Sequence, residues 1–317
     1  MMPEREKFLM SMSTHAEAAT MIGDGLWEYV GGMRPHIEQA LLRHLPLAHA
    51  NVSTLFNDAL RYSLFPGGKR LRPVLTLLGA EVTGGRALDV LPAAVAVEYI
   101  HSSSLVFDDL PCMDDAAKRR GQTALHARYG EGLAILIALA LMNASYGLVF
   151  DVTTPDFALN ISAHAELVEC IGARGMVAGQ SVDLAESSGV AVAPGREGCE
   201  GVRNLKTSAL IRMALRVGAI LSGAGARQLA ALSRFAQLLG EAYQTRDDML
   251  DMQEDAALAA VAARRMTFAL ERGERDTALR IDALIAEAKE TLLAEFGPTR
   301  PATLLCELAD YTAARDA

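Results

Sequence analysis

The chain has 317 residues, 51% of them apolar and 5% aromatic, and sets 30 Lys and Arg against 39 Asp and Glu for a formal charge of -9. That charge opposes nucleic acid and anionic lipid surfaces as partners, so any anion the protein binds must be met by local basic groups. Cys112, Cys170, Cys199 and Cys306 show neither CxxC pairing nor metal-ligand spacing, which fits packing residues in a reducing compartment.

Residues 1–25 place charge on both sides of a short apolar patch with no continuous hydrophobic region, which predicts a peripheral or flexible segment, not a signal peptide, and a cytoplasmic protein. From 26 to 317 no linker or composition shift divides the chain, which predicts one large domain. Ala and Leu dominate, and apolar residues recur at spacings of three and four, as in "LFNDALRYSLF" and "LAALSRFAQLLGEAYQTRDDMLDM". The expectation is an all-α domain of about ten helices with no strand. Helix ends are expected at "FPGG" (65–68), "GG" (84–85), "LPCMDD" (110–115) and "SSGVAVAPGREGCEG" (187–201), the last being the one long loop. The stretch "LAILIALALMNASYGLVF" (133–150) is interrupted by Asn143, Ser145, Tyr146 and Gly147, so it is expected to be a central helix buried all round and not a membrane span.

Three segments carry chemistry. "FPGGKRLRP" sets Lys69, Arg70 and Arg72 after a Gly-Gly turn at the start of a helix, where free N–H groups and the dipole favour an anion. In "HSSSLVFDDLPCMDD", His101 and Ser104 fall on the helical face of Asp108. Pro111 breaks that helix, so a bulged end can return Asp114 to the side of Asp108. "KRRG" then offers Arg119 and Arg120, suited to forked contact with diphosphate oxygens. In "QTRDDMLDM", Asp247, Asp248 and Asp251 share one helix face at separations of three and four.

Carboxylates gathered without Cys or His are hard-oxygen ligands that suit Mg²⁺ completed by substrate phosphate. The Gly and closing Glu of an EF-hand loop are absent from both clusters. Taken singly, either acidic cluster reads equally as a solvated charged face, and either basic group as surface solubility. Together they describe a deep apolar helical domain with two acidic metal sites and two basic diphosphate sites.

In their order along residues 60–268, "GGKRLRP", "HSSSLVFDDLPCMDD", "RRG", "GMVAGQSVDL", "LKTSAL" and "FAQLLGEAYQTRDDMLD" resemble the trans-type prenyl diphosphate synthases, the head-to-tail polyprenyl synthetase family. The resemblance implies an isoprenoid-synthase bundle around a deep central cavity. It implies Mg²⁺-assisted ionisation of an allylic diphosphate and attack on the cation by isopentenyl diphosphate. By the same resemblance Asp108, Asp109, Asp114, Asp247, Asp248 and Asp251 are the metal set, with Asp108, Asp114, Asp247 and Lys206 central to catalysis. Lys69, Arg72, His101 and Arg120 form the isopentenyl seat, Arg119, Lys206, Thr207 and Gln244 contact the allylic substrate, and Gln180 and Asp183 line the cavity. Ser103 and Ser104, about one turn before Asp108, stand at the floor that sets chain length. Their small size, with the inserted Pro111 and Cys112, resembles geranylgeranyl-type members and implies a C20 product, with C15 as the alternative. A homodimer is implied, with no nucleic acid partner and no stable membrane insertion.

The chain departs from the family pattern in places. Ala116 and Ala117 stand where further aspartates are frequent, Ala138 and Leu139 where Gly-Asp is frequent, and Thr123 where a Pro is usual. After "DDMLD" no Gly-Lys loop follows, although Arg265 before Thr267 and Phe268 can replace a later lysine. Two rival readings follow. A non-catalytic partner subunit would have little reason to keep both Asp-rich motifs. A class I terpene cyclase would carry an Asn/Ser/Glu metal motif and not need the "GGKRLRP" seat.

Overall fold

A computed structural model describes residues 24–49, 51, 54–65, 67–187, 196–258 and 273–314, with the side chains of 24, 186–187, 196–206 and 251–258 excepted. Several sequence expectations therefore lie outside the described residues: the segment before Asp24, Cys199, the side chains of Lys206 and Asp251, and Arg265, Thr267 and Phe268. In chain order the described helices are α1 (Asp24–Arg43), α2 (Thr54–Leu64), α3 (Leu71–Val82), α4 (Leu91–Asp108), α5 (Leu125–Tyr129), α6 (Glu131–Leu148), α7 (Phe157–Ile171), α8 (Met176–Ser187), α9 (Arg196–Leu221), α10 (Ala226–Leu258), α11 (Glu274–Phe296) and α12 (Arg300–Ala314). Helix α9 begins inside the stretch expected to be loop: the Gly residues of "REGCEG" weaken a helix without forbidding it.

The all-α expectation holds with one correction. A two-residue ladder joins β1 (Lys118–Arg119) to β2 (Gln122–Thr123), pairing Lys118 with Thr123 and Arg119 with Gln122. Arg120 and Gly121, at φ 52° and 76°, supply the two positive φ angles that a tight hairpin turn of matching twist requires. Strands this short leave no alternation to read in the sequence.

Helix α9 is the hub, packing on α3, α4, α7, α8 and α10. Its approach to α3 is close enough that a Cβ at Gly218 would run into the Thr76 carbonyl, and one at Gly79 into the Leu215 carbonyl. Glu166 of α7 braces α9 from the other side, 2.9 Å from Arg216. Helix α4 is enclosed, with Tyr99 and Ile100 fully buried. It also carries the polar or charged side chains of Glu98, His101, Ser102, Ser103, Ser104 and Asp108 into the interior.

Arg70 corrects the expectation of an open phosphate seat built from all three basic residues of "KRLR". It is 2% exposed, with Nε 2.8 Å from Glu38 of α1, Nη1 2.5 Å from Glu98 of α4, and Nη2 donating to the Leu64 carbonyl at 2.8 Å. A long cation next to two carboxylates is a structural clamp, because its donors are spent inside the protein.

Helix α6 is not buried all round. Ala87–Asp108 and Glu131–Asp151 both reach the length and hydropathy of a membrane span, but the first is 78% buried within the chain and the second 39%. The inner face of α6 packs on α4 and α2, while Ile135, Leu136 and Leu139 are exposed on the other. Phe150, Phe157 and Ile161 are exposed too, and the Phe150 and Phe157 rings lie 5.7 Å apart. Cys170 and Cys306 are buried as packing residues, whereas Cys112 is exposed on the turn after α4.

The α3–α9 crossing is testable. Gly218→Ala should destabilise the protein by about 1–3 kcal/mol, because a methyl group has nowhere to go. Gly31→Ala in α1, where nothing lies within 4 Å, should be neutral or gain up to about 1 kcal/mol from helix propensity. Urea unfolding midpoints of the two variants check the contrast.

Candidate active site

Pro92 starts α4 in its first turn, and the helix ends where Pro111 can supply no N–H. The chain then coils back on itself. Asp114 N–H donates to the Asp108 carbonyl at 2.9 Å, Asp115 N–H to that of Leu110 at 3.1 Å, and Ala116 N–H to that of Asp109 at 3.2 Å. Asp115 takes φ 49° to allow it, a conformation that Asp tolerates better than most residues. The five residues between Asp108 and Asp114 are thus closed into a loop by one backbone bond, as the Pro111 break leads one to expect. Asp108 and Asp109 are buried and Asp114 is exposed.

Hairpin residues Arg119 and Arg120 reach in different directions. Arg119 donates to Asp109 from Nε at 2.8 Å and Nη2 at 2.5 Å. That bond above all, and the charges of Asp109, Asp108 and Asp114, hold its pKa above the ordinary guanidinium value despite partial burial. One guanidinium therefore feels three of the four aspartates of the first motif.

Arg120 instead approaches a cavity of about 270 Å³. The cavity is walled by Lys69, Arg72, Glu98 and His101 on one side, Thr207, Ile211, Leu239 and Tyr243 on another, and Leu308, Tyr311 and Thr312 of α12. His101 Nε2 lies 3.1 Å from Arg72 Nη1 and 3.4 Å from Arg120 Nη2. Both neighbours are donors, so Nε2 must be the lone-pair nitrogen and the proton sits on Nδ1. That Nδ1, like Arg72 Nε, is buried with no hydrogen-bond partner. Burial, then the charges of Arg72, Arg120, Arg119 and Arg70, hold the His101 pKa well below its ordinary value. Two unsatisfied buried donors among three cationic side chains fit an anion with many acceptor oxygens, and a diphosphate has that chemistry.

The four residues expected at the isopentenyl seat, Lys69, Arg72, His101 and Arg120, all line this cavity, and so does Thr207 from the allylic set. Arg119 does not line it and faces the carboxylates. Along α10, Leu239, Tyr243 and Asp247 recur at intervals of four, so the face lining the cavity at its first two members continues to Asp247. Gln244 donates to Asp248 at 3.3 Å, and Gln180 of α8 approaches the Met113 sulfur at 3.9 Å. On α4, the seven-residue step from His101 leads along the same face to Asp108. Ser104 donates to the His101 carbonyl at 2.9 Å and Ser103 to the Ala138 carbonyl of α6 at 2.9 Å.

Asp108, Asp109, Asp114, Asp247 and Asp248 offer oxygen donors alone, which fit a hard divalent ion such as Mg²⁺ and not zinc. Among the described residues no three carboxylate, imidazole or thiolate groups close on one point. The sequence reading missed Tyr243, Tyr311, Thr312, Leu308 and Glu98. Tyr243 was accessible, one turn before Asp247, whereas α12 gives no local sign that it reaches a site assembled around residue 70.

Comparisons with known proteins agree with this geometry. The family model described as polyprenyl synthetase matches residues 53–260. A geranylgeranyl pyrophosphate synthase, chloroplastic, of Catharanthus roseus is 37% identical over 287 residues, covering 88% of this chain and 77% of the relative. The large subunit 1 of a heterodimeric geranylgeranyl pyrophosphate synthase, chloroplastic, of Arabidopsis thaliana is 35% identical over 268 residues, covering 82% and 72%. The crystal structure of an FPP/GFPP synthase from Zymomonas mobilis superposes with a TM-score of 0.77 at 26% identity, covering 90% of this chain and 99% of that one.

The buried imidazole predicts a pH dependence. A native pKa below the unfolded value means that the unfolded chain binds more protons between the two. His101 therefore contributes stability that is fully present above its ordinary value of 6.5 and is lost as pH falls through that value toward the native one. In His101→Gln, the unfolding free energy should fall less steeply than in wild type as pH drops from about 6.5 to about 5, as read from urea melts along a pH series.

Proposed function

The chain belongs to the polyprenyl synthetase family and is a prenyltransferase, and from that premise we propose that it condenses isopentenyl diphosphate head-to-tail with the allylic diphosphates of dimethylallyl, geranyl and farnesyl chains, ending at C20 geranylgeranyl diphosphate. The observation that carries this reading is the convergence of Lys69, Arg72, Arg120 and His101 on one cavity. We assign the isopentenyl diphosphate to these four residues. Arg119, Lys206, Thr207 and Gln244 receive the allylic diphosphate in the same reading, with Asp108, Asp109, Asp114, Asp247, Asp248 and Asp251 holding magnesium beside it. Magnesium, when bound, supplies the positive charge that stabilises the departing diphosphate.

The chain's own residues do the rest. Leu75, Ile211, Leu239 and Leu308 line the cavity and keep water from an allylic cation while the double bond of the second substrate attacks it. The Arg72, Arg120 and Lys69 cations hold that second substrate by its diphosphate, leaving its apolar end to face the reacting carbon. The adduct then gives a proton to the departed diphosphate, and the product is an allylic diphosphate five carbons longer. Small Ser103 and Ser104, their hydroxyls already spent on backbone carbonyls, support a chain that passes the C15 length. Relatives named as geranylgeranyl synthases support the same length.

We also propose a homodimer in the cytoplasm, with the exposed apolar face of α6 as the contact. Ile135, Leu136 and Leu139 of α6, like Phe150, Phe157 and Ile161 that follow it in the chain, are exposed, apolar surface that a single chain leaves in water and that a second copy would cover symmetrically.

Two experiments test these readings. Purified protein given Mg²⁺, isopentenyl diphosphate and each of the C5, C10 and C15 primers should yield mainly C20 product on sizing by chromatography. Products that stop at C15 from every primer would overturn the length, and no elongation at all would favour a partner subunit. Leu136→Lys, at a side chain 56% exposed in the single chain, should convert dimer to monomer in light scattering without unfolding the protein.

A further inference from the structure

Lys69 is held by two aromatic residues from opposite ends of the sequence. Its Nζ lies 2.5 Å from the Tyr311 hydroxyl, 5.1 Å from the centre of the Tyr311 ring and 5.7 Å from that of Trp27. The two rings meet edge to face, centroids 5.0 Å apart and planes at 85°. An ammonium group this close to the Tyr311 hydroxyl and within range of the Trp27 ring is held by a charge-assisted hydrogen bond to the first and by cation–π attraction to the second. The cage is itself braced. Glu307, one turn before Tyr311 on α12, accepts the Leu26 N–H at 2.7 Å, so the α12 face that presents Tyr311 also caps the start of α1 beside Trp27. Tyr29 adds a second tie, donating to Glu81 of α3 at 2.8 Å.

The position of this cage gives it a task. Lys69 and Tyr311 both line the cavity that holds Arg72, His101 and Arg120, yet Trp27 and Tyr311 lie outside residues 53–260, the span of the family match. A lysine stem is long and flexible, and fixing it at the cavity wall costs side-chain conformational entropy. The aromatic pair meets that cost before any ligand arrives, which is what preorganisation means for affinity.

We propose that Trp27 and Tyr311 are positioning residues that hold the Lys69 ammonium at the cavity wall for the diphosphate of the isopentenyl substrate. This rests on the assignment of that diphosphate to the cavity. The bound diphosphate would meet the ammonium while the cage still holds it, and its negative charge would change the field at the adjacent indole, so Trp27 reports occupancy.

Trp27 is the single tryptophan of the chain, so its emission is an unmixed signal. Titrating the full-length protein with isopentenyl diphosphate should give a saturable change in tryptophan emission, and Lys69→Met should abolish that change. Tyr311→Phe keeps the ring and loses the hydroxyl. It should raise the KM for isopentenyl diphosphate roughly five- to tenfold, with kcat and the allylic KM within about twofold of wild type. Tyr311→Leu, which loses the ring as well, should raise that KM further.

A Tyr311→Phe enzyme with an unchanged KM, or an emission change that survives Lys69→Met, overturns the cage and leaves the prenyltransferase reading standing. A merely structural Tyr311 would lower the thermal midpoint and kcat together without selecting one substrate's KM, and that pattern also overturns it. If wild type elongates no primer, the functional reading fails instead, and the emission titration still decides the cage.

Discussion

The turn that presents Lys69 and Arg72 depends on a neighbour that never meets solvent. Arg70 sits between them at φ 56°, with its guanidinium shared between Glu38, Glu98 and the Leu64 carbonyl. Those partners belong to α1, α4 and the end of α2, so one side chain ties three helices to the start of α3. Desolvating a guanidinium costs several kcal/mol, which two carboxylates and a carbonyl can offset only in good geometry. The pair is thus a stronger device for fixing one backbone arrangement than for adding stability. With Arg70 turned inward, Lys69 and Arg72 are left facing the cavity.

Glu98 serves both sides of that arrangement. It pairs with Arg70 and also lines the cavity beside Arg72, where burial lowers the pKa of Arg72 and Arg120 and the Glu98 charge opposes that lowering. Without such a counter-charge, Arg72 and Arg120 within reach of one imidazole would repel each other in a medium of low dielectric. His101 completes the solution by staying neutral, accepting from both guanidiniums at Nε2 and keeping a donor at Nδ1. On the far side of the hairpin, Arg119 neutralises Asp109 and holds the acidic turn against the same scaffold. The cationic cavity, with Glu98 as its counter-charge, and the acidic turn, with Arg119 as its own, are therefore adjacent, and the Arg119–Arg120 step joins them.

Features fixed by local spacing were legible in the sequence. The interval of seven between His101 and Asp108, the break at Pro111 and the acidic face of α10 all follow from helical geometry or proline chemistry within a few residues. Features fixed by distant partners were not. Arg70 looks like its neighbours Lys69 and Arg72 until Glu38 and Glu98 are seen beside it. The β1–β2 hairpin is too short to carry a period, and its turn uses Arg120 where Asn or Gly would have announced it. Tyr311 and Trp27 reach Lys69 across separations of 242 and 42 residues in the numbering of the chain, and no local pattern records such a contact.

Helices α4 and α6 show how composition alone can mislead. Both are apolar enough to span a membrane by composition, yet α4 is enclosed by α1, α3, α6 and α9 while α6, expected to be buried all round, packs on one side and is open on the other. The junction between them is also where the proposed floor lies, because Ser103 of α4 donates to the Ala138 carbonyl of α6 and Ala138 adjoins exposed Leu139. Covering that open face with a second copy would make α6 an inner helix and leave the wall beneath the acidic turn one helix thick between two subunits. A substitution on the α6 surface then acts on two properties together, assembly and the depth available to a growing chain, since a single helix cannot shift at one face without moving the other.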